Sequence, residues 1–533
     1  MNAVTRLLTG AAMGVALSLS SGAVLAKTPD NMLVVAQRID DLITMDPAQS
    51  YEFTGGDISR NIYSKLVTFD PADLSAGYKP SIATKWDVSE DGKTVTFTIR
   101  KGVKFHSGNP LRPEDVAFSL QRAVLLNKTP SFILTQFGFS KDNVKDTIKV
   151  VGDDQVSITT DKRYATSFLL NCLTATIAGI VDEKTVMAHE KDGDMGNEWL
   201  KTNDAGSGPY VLTSWKPNDS YTLTAFNDYW GGAPAMKRII VRHVQESATQ
   251  RLMLEKGDID VARNLNPEDV QAIEKEDGLK VDNELRGRLM YISFNQKDPE
   301  LSKPKVVEAL KYLVDYKGMV NSFLKGQWQV HQSFLPLTYL GQIKDNPYSF
   351  NVDKAKELLK EAGVKDLTIT AGVRDAQERL EIAQSLQNTF AQAGVTLKIE
   401  VGTGKQVLGK YRARQLQMYV GAWGPDYPDP QTNAGTFAWN PNNADDAKLT
   451  GSLAWRNAWD PGKFNQMVDA AVVEPDRAKR AKMYEDMQRE WQKTAPFGVL
   501  FQKVEQTGLA ADVQHLNVGG AITAISYWAI TKE

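Results

Sequence analysis

Residues 367–401, LTITAGVRDAQERLEIAQSLQNTFAQAGVTLKIEV, decide the fold class. The first seven, 367–373, are short, β-prone and apolar at alternate positions, which reads as a strand. Asp375 stands where a helix N-cap belongs. Glu378 follows three residues on, a capping-box spacing in which Asp replaces Ser or Thr. The pattern predicts a helix over 376–393, stopped by Gly394. Residues 395–401 then place Val395, Leu397, Ile399 and Val401 at every second position, a strand again. A strand, a crossover helix and a strand make one β-α-β unit, whose two strands run parallel. This part of the chain is α/β.

The flanks repeat the theme. Upstream, Asn351 is placed to cap a helix that turns Ala355, Leu358, Leu359 and Ala362 inward and stops at Gly363. Before it, Ser302-Lys303-Pro304 opens a helix with the stripe Val306, Val307, Leu310, Leu313 and Val314. Downstream, a strand over 417–423 runs straight into Gly424-Pro425-Asp426-Tyr427-Pro428-Asp429-Pro430. In the N-terminal half, residues 86–99 read as a hairpin around Asp91-Gly92, with Val95, Phe97 and Ile99 on one face. Pro113 opens a helix with Val116, Ala117, Leu120 and Val124 on one side. Residues 206–224 read as a second hairpin around Pro217-Asn218-Asp219. No internal repeat or low-complexity tract interrupts the chain.

At 533 residues the chain is too long for one core, so two or three lobes are expected. With 42% hydrophobic and 24% charged residues it is globular rather than disordered. The 62 basic and 65 acidic side chains leave a net charge of −3, so no basic field recruits nucleic acid. A single cysteine, Cys172, excludes an intrachain disulfide and the thiolate sites of zinc and iron–sulfur clusters. Residues 1–26 carry one cation, Arg6, then an uncharged, small and apolar run ending in Val24-Leu25-Ala26. This is the pattern of a secretory signal cleaved before Lys27. The alternative is an uncleaved membrane anchor, for which the glycines, serines and threonine of the run are poorly suited. No cysteine at the cleavage point offers a lipid anchor. The expected location is the periplasm of a two-membrane bacterium, where a lone cysteine cannot mispair within its own chain.

Ligands of open α/β sheets bind outside the carboxyl ends of the strands. Arg374 follows the strand ending at 373, and Asp426 follows the strand ending at 423. If these strands are parallel neighbours, the two charges emerge on one rim and match a zwitterion. A guanidinium would take the carboxylate and a carboxylate the ammonium. Alternatively the two pair with each other or with solvent. Asp429 competes with Asp426 within the same proline-rich loop. Trp423, Tyr427, Phe437 and Trp439 make that region aromatic, which suits both a cleft for varied side chains and ordinary packing. Catalytic signatures are lacking. His106, His189, His243, His331 and His515 show no metal-binding spacing. In Gly402-Thr403-Gly404-Lys405 the first phosphate-loop glycine is replaced by Ile399 and the final Ser/Thr by Gln406. Gly206-Ser207-Gly208 is not a nucleophile elbow.

Several stretches occur in a characteristic order. They are Met45-Asp46-Pro47, ISRNIYSKLVTFDP (58–71), WDVSEDGKTVTFTIRKGVKFHSGNPLRPEDVAFSLQRA (86–123), GSGPYVLTSW (206–215), NDYWGGAPAMKRIIVRHV (227–244), LEKGDIDVA (254–262), FNVDKAKELLKEAGV (350–364) and WGPDYPDP (423–430). From about residue 31 to the end, the chain resembles the periplasmic solute-binding proteins of peptide-type ABC importers, bacterial extracellular solute-binding family 5. The resemblance implies an α/β, two-lobed periplasmic-binding-protein fold with an extra inserted domain and a hinged cleft. Lobe I would comprise 27–68, 182–280 and 495–533, the inserted domain 69–181, and lobe III 281–494. It implies capture of short peptides for an inner-membrane ABC permease with cytoplasmic ATPase subunits, with no catalysis and no cofactor, by what is expected to be a monomer. It also leaves open other solutes: glycosides, opine-like conjugates, metal chelates or haem. An exported hydrolase is the reading from a different class. Carried over residue by residue, Asp426 would meet the ligand's α-amino group and Trp423 would line a side-chain pocket. Residues 51–54, including Phe53 and Thr54, would pair with an extended peptide through their backbone. Tyr427 lies in the same loop. Arg374 would take the terminal carboxylate, although an ungapped count back from Gly394 lands on Val373.

Overall fold

The computed structural model describes residues 27–70, 73–516 and 525–533, so the expected leader at 1–26 lies outside the described residues. The first half contributes β1 (Met32–Gln37), α1 (Phe53–Ile62), β2 (Ala83–Val88), β3 (Thr94–Ile99), α2 (Pro113–Leu126), β4 (Ile148–Gly152) and β5 (Gln155–Thr159). Next come β6 (Tyr210–Lys216), β7 (Ser220–Ala225), β8 (Arg238–His243) and β9 (Val261–Ala262). The second half contributes β10 (Leu279–Phe294), α3 (Pro304–Tyr312), β11 (Trp328–Val330), α4 (Val352–Glu361), β12 (Thr368–Arg374), α5 (Gln377–Ala391) and β13 (Thr396–Gly402). The chain continues through α6 (Gly404–Arg412), β14 (Met418–Trp423), α7 (Pro430–Phe437), α8 (Arg477–Thr494) and β15 (Phe497–Ala510).

Among the described residues one sheet runs β13-β12-β14-β10-β15-β9-β1-β8-β7-β6, with β11 added beside β15. A separate sheet, β2-β3-β5-β4, belongs to the stretch expected as an inserted domain. The β-α-β unit forms as the sequence indicates: β12 pairs parallel with β13 from Thr368↔Thr396 to Arg374↔Gly402. The long strands β10 and β15 run antiparallel and pass through both halves of the large sheet, from Leu279↔Ala510 to Ser293↔Phe497. Their ladder breaks between Leu285 and Leu289, so the strands bend there. The break separates the part of the ladder from Leu279 to Leu285 from the part that begins at Leu289.

Alternation along β10 sets the layers. Met290, Ile292 and Phe294 enter a core with Val306 and Leu310 of α3, Leu358 of α4, and Ile382, Leu386 and Phe390 of α5. Leu289 and Tyr291 point the other way, into a core with Phe437, Tyr484, Trp491 and Phe497. Both faces are therefore covered, as parallel sheets require. Lobe I has its own core from Leu33, Val35, Ile58, Ile62, Tyr221, Leu223, Ile239 and Val241. The inserted stretch packs Val95, Phe97, Val156 and Ile158 under Val116, Leu120 and Val124 of α2.

The two hairpin turns fall where expected, with Gly92 at φ +70° and Asn218 at φ +56°. Asn351 caps α4 by accepting from Lys354 N at 2.9 Å. One expectation fails. Asp375 is not the cap of α5: Ala376 is, and it offers no side-chain bond. Asp375 stays in the strand ladder, its N–H donating to Gly402 O at 2.9 Å, so the helix starts one residue later. The Glu378 carboxylate accepts instead from Trp328 Nε1 at 3.2 Å and from Arg288 Nη2 at 3.4 Å.

Two sequence stretches acquire structural reasons. Asp46 is fully buried and accepts both Nη atoms of Arg122 at 2.7 and 2.8 Å, tying lobe I to α2. Gly206 passes so close to the end of α1 that an added Cβ would stand 1.8 Å from Ile62 O.

Candidate functional site

Parallel pairing of β12 with β14, from Ala371↔Met418 to Val373↔Val420, sends Arg374 and the loop after Trp423 out of the same sheet edge. The strands thus build the expected rim. The two charged groups do not pair with each other. Arg374 lies along the edge beside Gly404, its Nη2 2.7 Å from where a Cβ on that glycine would be. Asp426 reaches the opposite lobe, where its Oδ1 accepts a hydrogen bond from the Tyr51 hydroxyl.

The loop shapes Asp426 locally. Asp426 N donates to Thr432 Oγ1 at 3.2 Å, which folds the loop back on the first turn of α7. Burial in the cleft pushes the Asp426 carboxyl up to about 6, partly offset by its hydrogen bonds from Tyr51 and Thr432. A half-buried carboxylate held by two neutral hydroxyls is ready for a cation. Tyr51 stands edge-on to Phe132 at 6.1 Å. Tyr51 and Phe53 are 44% and 55% exposed, large apolar faces left open beside the cleft. Thr54 is buried, and its N–H and hydroxyl both go to Asp41. Phe53 and Thr54 form the first turn of α1, so their backbone is helical and does not offer the extended edge that the sequence reading expected of residues 51–54.

The neighbouring carboxylate has a different occupation. Asp429 is fully buried, caps α7 by accepting from Gln431 N at 2.9 Å, and takes Arg480 Nη1 and Nη2 at 2.9 and 2.7 Å. Asn171, from the inserted stretch, adds a fourth bond at 2.8 Å. Every lone pair of Asp429 is engaged, which leaves Asp426 as the available carboxylate of the loop. Tyr427 is buried against Phe168 at 5.9 Å and its hydroxyl donates to Gln136 Oε1 at 3.3 Å. It joins the loop to the inserted stretch rather than presenting a free face. Trp423 is half-buried, edge-on to Phe437 at 5.8 Å. Trp439 lies apart, its Nε1 donating to Asp469 at 3.1 Å.

Sequence reasoning missed a buried polar network beside the break in the β10–β15 ladder. Arg263 donates to Asp57 Oδ2 at 2.6 Å and to Glu505 Oε1 at 2.8 Å, while Arg286 Nε donates to Glu505 Oε2 at 2.6 Å. These arginines hold the Glu505 carboxyl down to about 2 against the opposing effect of its burial. Asp57 sits in α1 one helical turn beyond Phe53 and Thr54, so this network fixes the helix that presents them. The signal was weak: an Arg-Gly-Arg run, 286–288, between a polar first half and a largely apolar second half of β10.

The geometry offers little for catalysis. His106 is buried between Asp204 and Gly208 O at 2.9 Å each, and burial pulls His331 down to about 4. Thr403 and Gln406 cap α6 reciprocally, occupying the helix start that a phosphate loop would keep open. Among the described residues no group of three or more His, Cys, Asp or Glu could hold a metal ion, and no helix is long and apolar enough to cross a membrane.

Comparison with known proteins gives the same picture. A probable D,D-dipeptide-binding periplasmic protein of Escherichia coli is 26% identical over 495 residues, 92% of each chain. Heme-binding protein A of Haemophilus influenzae is 26% identical over 456 residues, 81% of this chain and 79% of that protein. The fold matches a periplasmic binding protein of Helicobacter pylori, associated with an ABC transporter and solved with the peptide STSA. That match has a TM-score of 0.77 at 24% identity and covers 94% of this chain and 98% of the other. The model of the bacterial extracellular solute-binding proteins, family 5 Middle, matches residues 77–446, well over half of the sequence. With the two-lobed α/β architecture and the cleft between its halves, this match places the chain in that family of extracellular solute-binding proteins.

Proposed function

We propose that the protein captures short peptides in the cleft and delivers them to an inner-membrane ABC permease powered by cytoplasmic ATPase subunits. The observation that carries this reading is Asp426. It is the carboxylate of its loop that meets hydroxyls and no cation, it projects from the rim of one lobe, and from the other lobe it meets Tyr51. A peptide's α-ammonium is the cation that fits there, displacing the phenol. The exposed rings of Tyr51 and Phe53 and the half-buried Trp423 supply sequence-tolerant surface for side chains. Peptide-binding names and a peptide complex among the relatives support the same ligand class. Lobes I and III close on the ligand about the bend in β10 and β15. The inserted stretch stays attached through Arg122–Asp46 on one side and Asn171–Asp429 on the other. Residues 1–26 serve as a cleaved leader and the mature chain works in the periplasm as a binder, with no bond made or broken.

The test is small-angle scattering with tryptophan fluorescence on mixing with a library of di-, tri- and tetrapeptides. A fall in radius of gyration and a change in emission, with the peptide recovered intact by mass spectrometry, are expected. Peptide cleavage would establish a hydrolase. No response to any peptide, with a different compound co-purifying, would transfer the transport role to a non-peptide solute.

A further inference from the structure

Phe53, Gly56 and Arg60 recur along α1 at i, i+3 and i+7, so they share one face of the helix. That face begins at exposed Phe53, two residues from the Tyr51 that meets Asp426. At Gly56 it is open: outside its own helix, a Cβ there would meet within 4 Å only Thr176 Oγ1 of the inserted stretch, at 3.9 Å. At its far end stands Arg60, half-buried. At 1.5 Å per residue, Phe53 and Arg60 are about 10 Å apart along the helix.

Arg60 is a cation without an anion. Among the described residues its guanidinium has no hydrogen-bond or ion-pair partner, and it rests on the Phe69 ring at 5.6 Å. The carboxylate one turn back, Asp57, is already taken by Arg263 at 2.6 Å and by the Ile525 N–H at 2.9 Å. Lys65 follows in the loop after α1. It too is half-buried, and its Nζ donates to a neutral acceptor, Thr174 O, at 2.7 Å. Burial, reinforced by the charge of Arg60, pulls the Lys65 ammonium down to about 7. A third cation, Arg100, comes from the inserted stretch. It lies over the Trp230 ring at 4.6 Å, and its Nε donates to Ser81 O at 2.9 Å. Arg60 and Arg100 both stand near the Tyr229 phenol. Three positive groups thus gather at the end of α1, and among the described residues none of them has a carboxylate partner. Charges withdrawn from water are ordinarily paired, so this cluster lacks its counter-charge.

We propose that Arg60 and Lys65, with Arg100 beside them, form an anion subsite at the end of the open α1 face that takes an acidic side group of the bound ligand. The inference rests on the proposed function, with the ligand's ammonium at Asp426. The open face of α1 leads from that ammonium to the cations. An extended chain covers about 10 Å in three residues, so the acidic group belongs to the second or third residue of a peptide. Its carboxylate completes the guanidinium fork of Arg60 and accepts from the Lys65 ammonium, between the rings of Phe69 and Tyr229. The favoured solutes are therefore acidic peptides.

Calorimetry compares Ala-Glu-Ala and Ala-Ala-Glu with Ala-Gln-Ala and Ala-Ala-Gln, each also as its C-terminal amide, on wild type, Arg60→Gln, Arg60→Lys and Lys65→Met. At least one Glu peptide should bind wild type about tenfold or more better than its Gln counterpart, the worth of charge-assisted bonds. Arg60→Gln and Lys65→Met should each bring that ratio toward one, and Arg60→Lys should keep part of it. The amides should show the same ratio as the acids. Each ratio is taken within one variant, so a general loss of affinity from altered packing cancels. A wild-type ratio near one, or a wild-type ratio in folded Arg60→Gln, overturns the proposal. A ratio that vanishes in the amides also overturns it, because the anion would then be the terminal carboxylate. If Arg60→Gln does not fold, Arg60→Lys and Lys65→Met decide by the same ratios. If wild type binds none of these peptides, the peptide reading fails separately, and inorganic phosphate tests the subsite alone. Phosphate raising the melting temperature of wild type but not of Arg60→Lys or Lys65→Met supports it; no effect of phosphate on wild type overturns it.

Discussion

Replacing Asp426 by Asn keeps the shape of the loop and removes one charge. The Asn oxygen still accepts from Tyr51, so the ligand-free structure has little reason to change. The bound state does. An ammonium buried against Asn in place of a carboxylate lacks its counter-charge, a loss on the order of 3–5 kcal/mol. At about 1.4 kcal/mol per decade, peptide affinity at pH 7 should fall by roughly a hundredfold to a few thousandfold. The pH profile is a sharper signature. The Asp426 carboxyl is raised by burial to about 6, so below that pH it is protonated in the empty cleft. Binding an ammonium must then expel a proton, and wild-type affinity should weaken by about tenfold per unit between pH 6 and pH 4. The peptide's own carboxylate, with a pKa of about 3.3–3.7, stays ionised over most of that range. Above about pH 8 the ligand amine loses its proton and affinity falls again. Asp426→Asn should lose the acid limb and keep the alkaline one. Stability should move oppositely. The folded carboxyl holds its proton more tightly than the unfolded one, so ionised Asp426 costs stability above pH 6, a cost that disappears as pH falls from 6 toward 4. Ligand-free Asp426→Asn should therefore melt at or above the wild-type temperature at pH 7. Isothermal titration with a single dipeptide, from pH 4.5 to 8.5, measures the binding limbs. Near-wild-type affinity of Asp426→Asn at pH 7, or an acid limb that survives the substitution, would refute the assignment.

Asp429→Asn should act on stability: it breaks a fully buried pair with Arg480, at about 3–5 kcal/mol, and should lower the melting temperature measured by circular dichroism. A melt superimposable on wild type would show that the pair is dispensable. Gly206→Ala should destabilise by about 1–3 kcal/mol or more, because its Cβ meets Ile62 O at 1.8 Å. Ser207→Ala next to it should be neutral or stabilising, since the buried Ser207 hydroxyl has no partner; the opposite order in a chemical melt would sink this account of the Gly-Ser-Gly turn.

The elements were legible because their causes are local. The alternation of Val395, Leu397, Ile399 and Val401, the Asn351 cap and the Gly363 stop each depend on neighbours within a few residues. They sufficed for the β-α-β unit and hence for parallel β12 and β13. Adjacency of β12 and β14 was a condition the sequence could only pose, and pairing of Val373 with Val420 meets it. The cap of α5 was misread by one residue because Asp375 is claimed by Gly402 of the adjacent strand. The site was legible as a region and not as a set of contacts. Asp426 and Asp429 are equivalent as letters of one loop. What separates them is Arg480, 51 residues further along, and Tyr51, 375 residues back. Periodicity and capping follow from short-range sterics along the chain. Which charge is satisfied and which is left for a ligand follows from partners brought together only when the lobes fold.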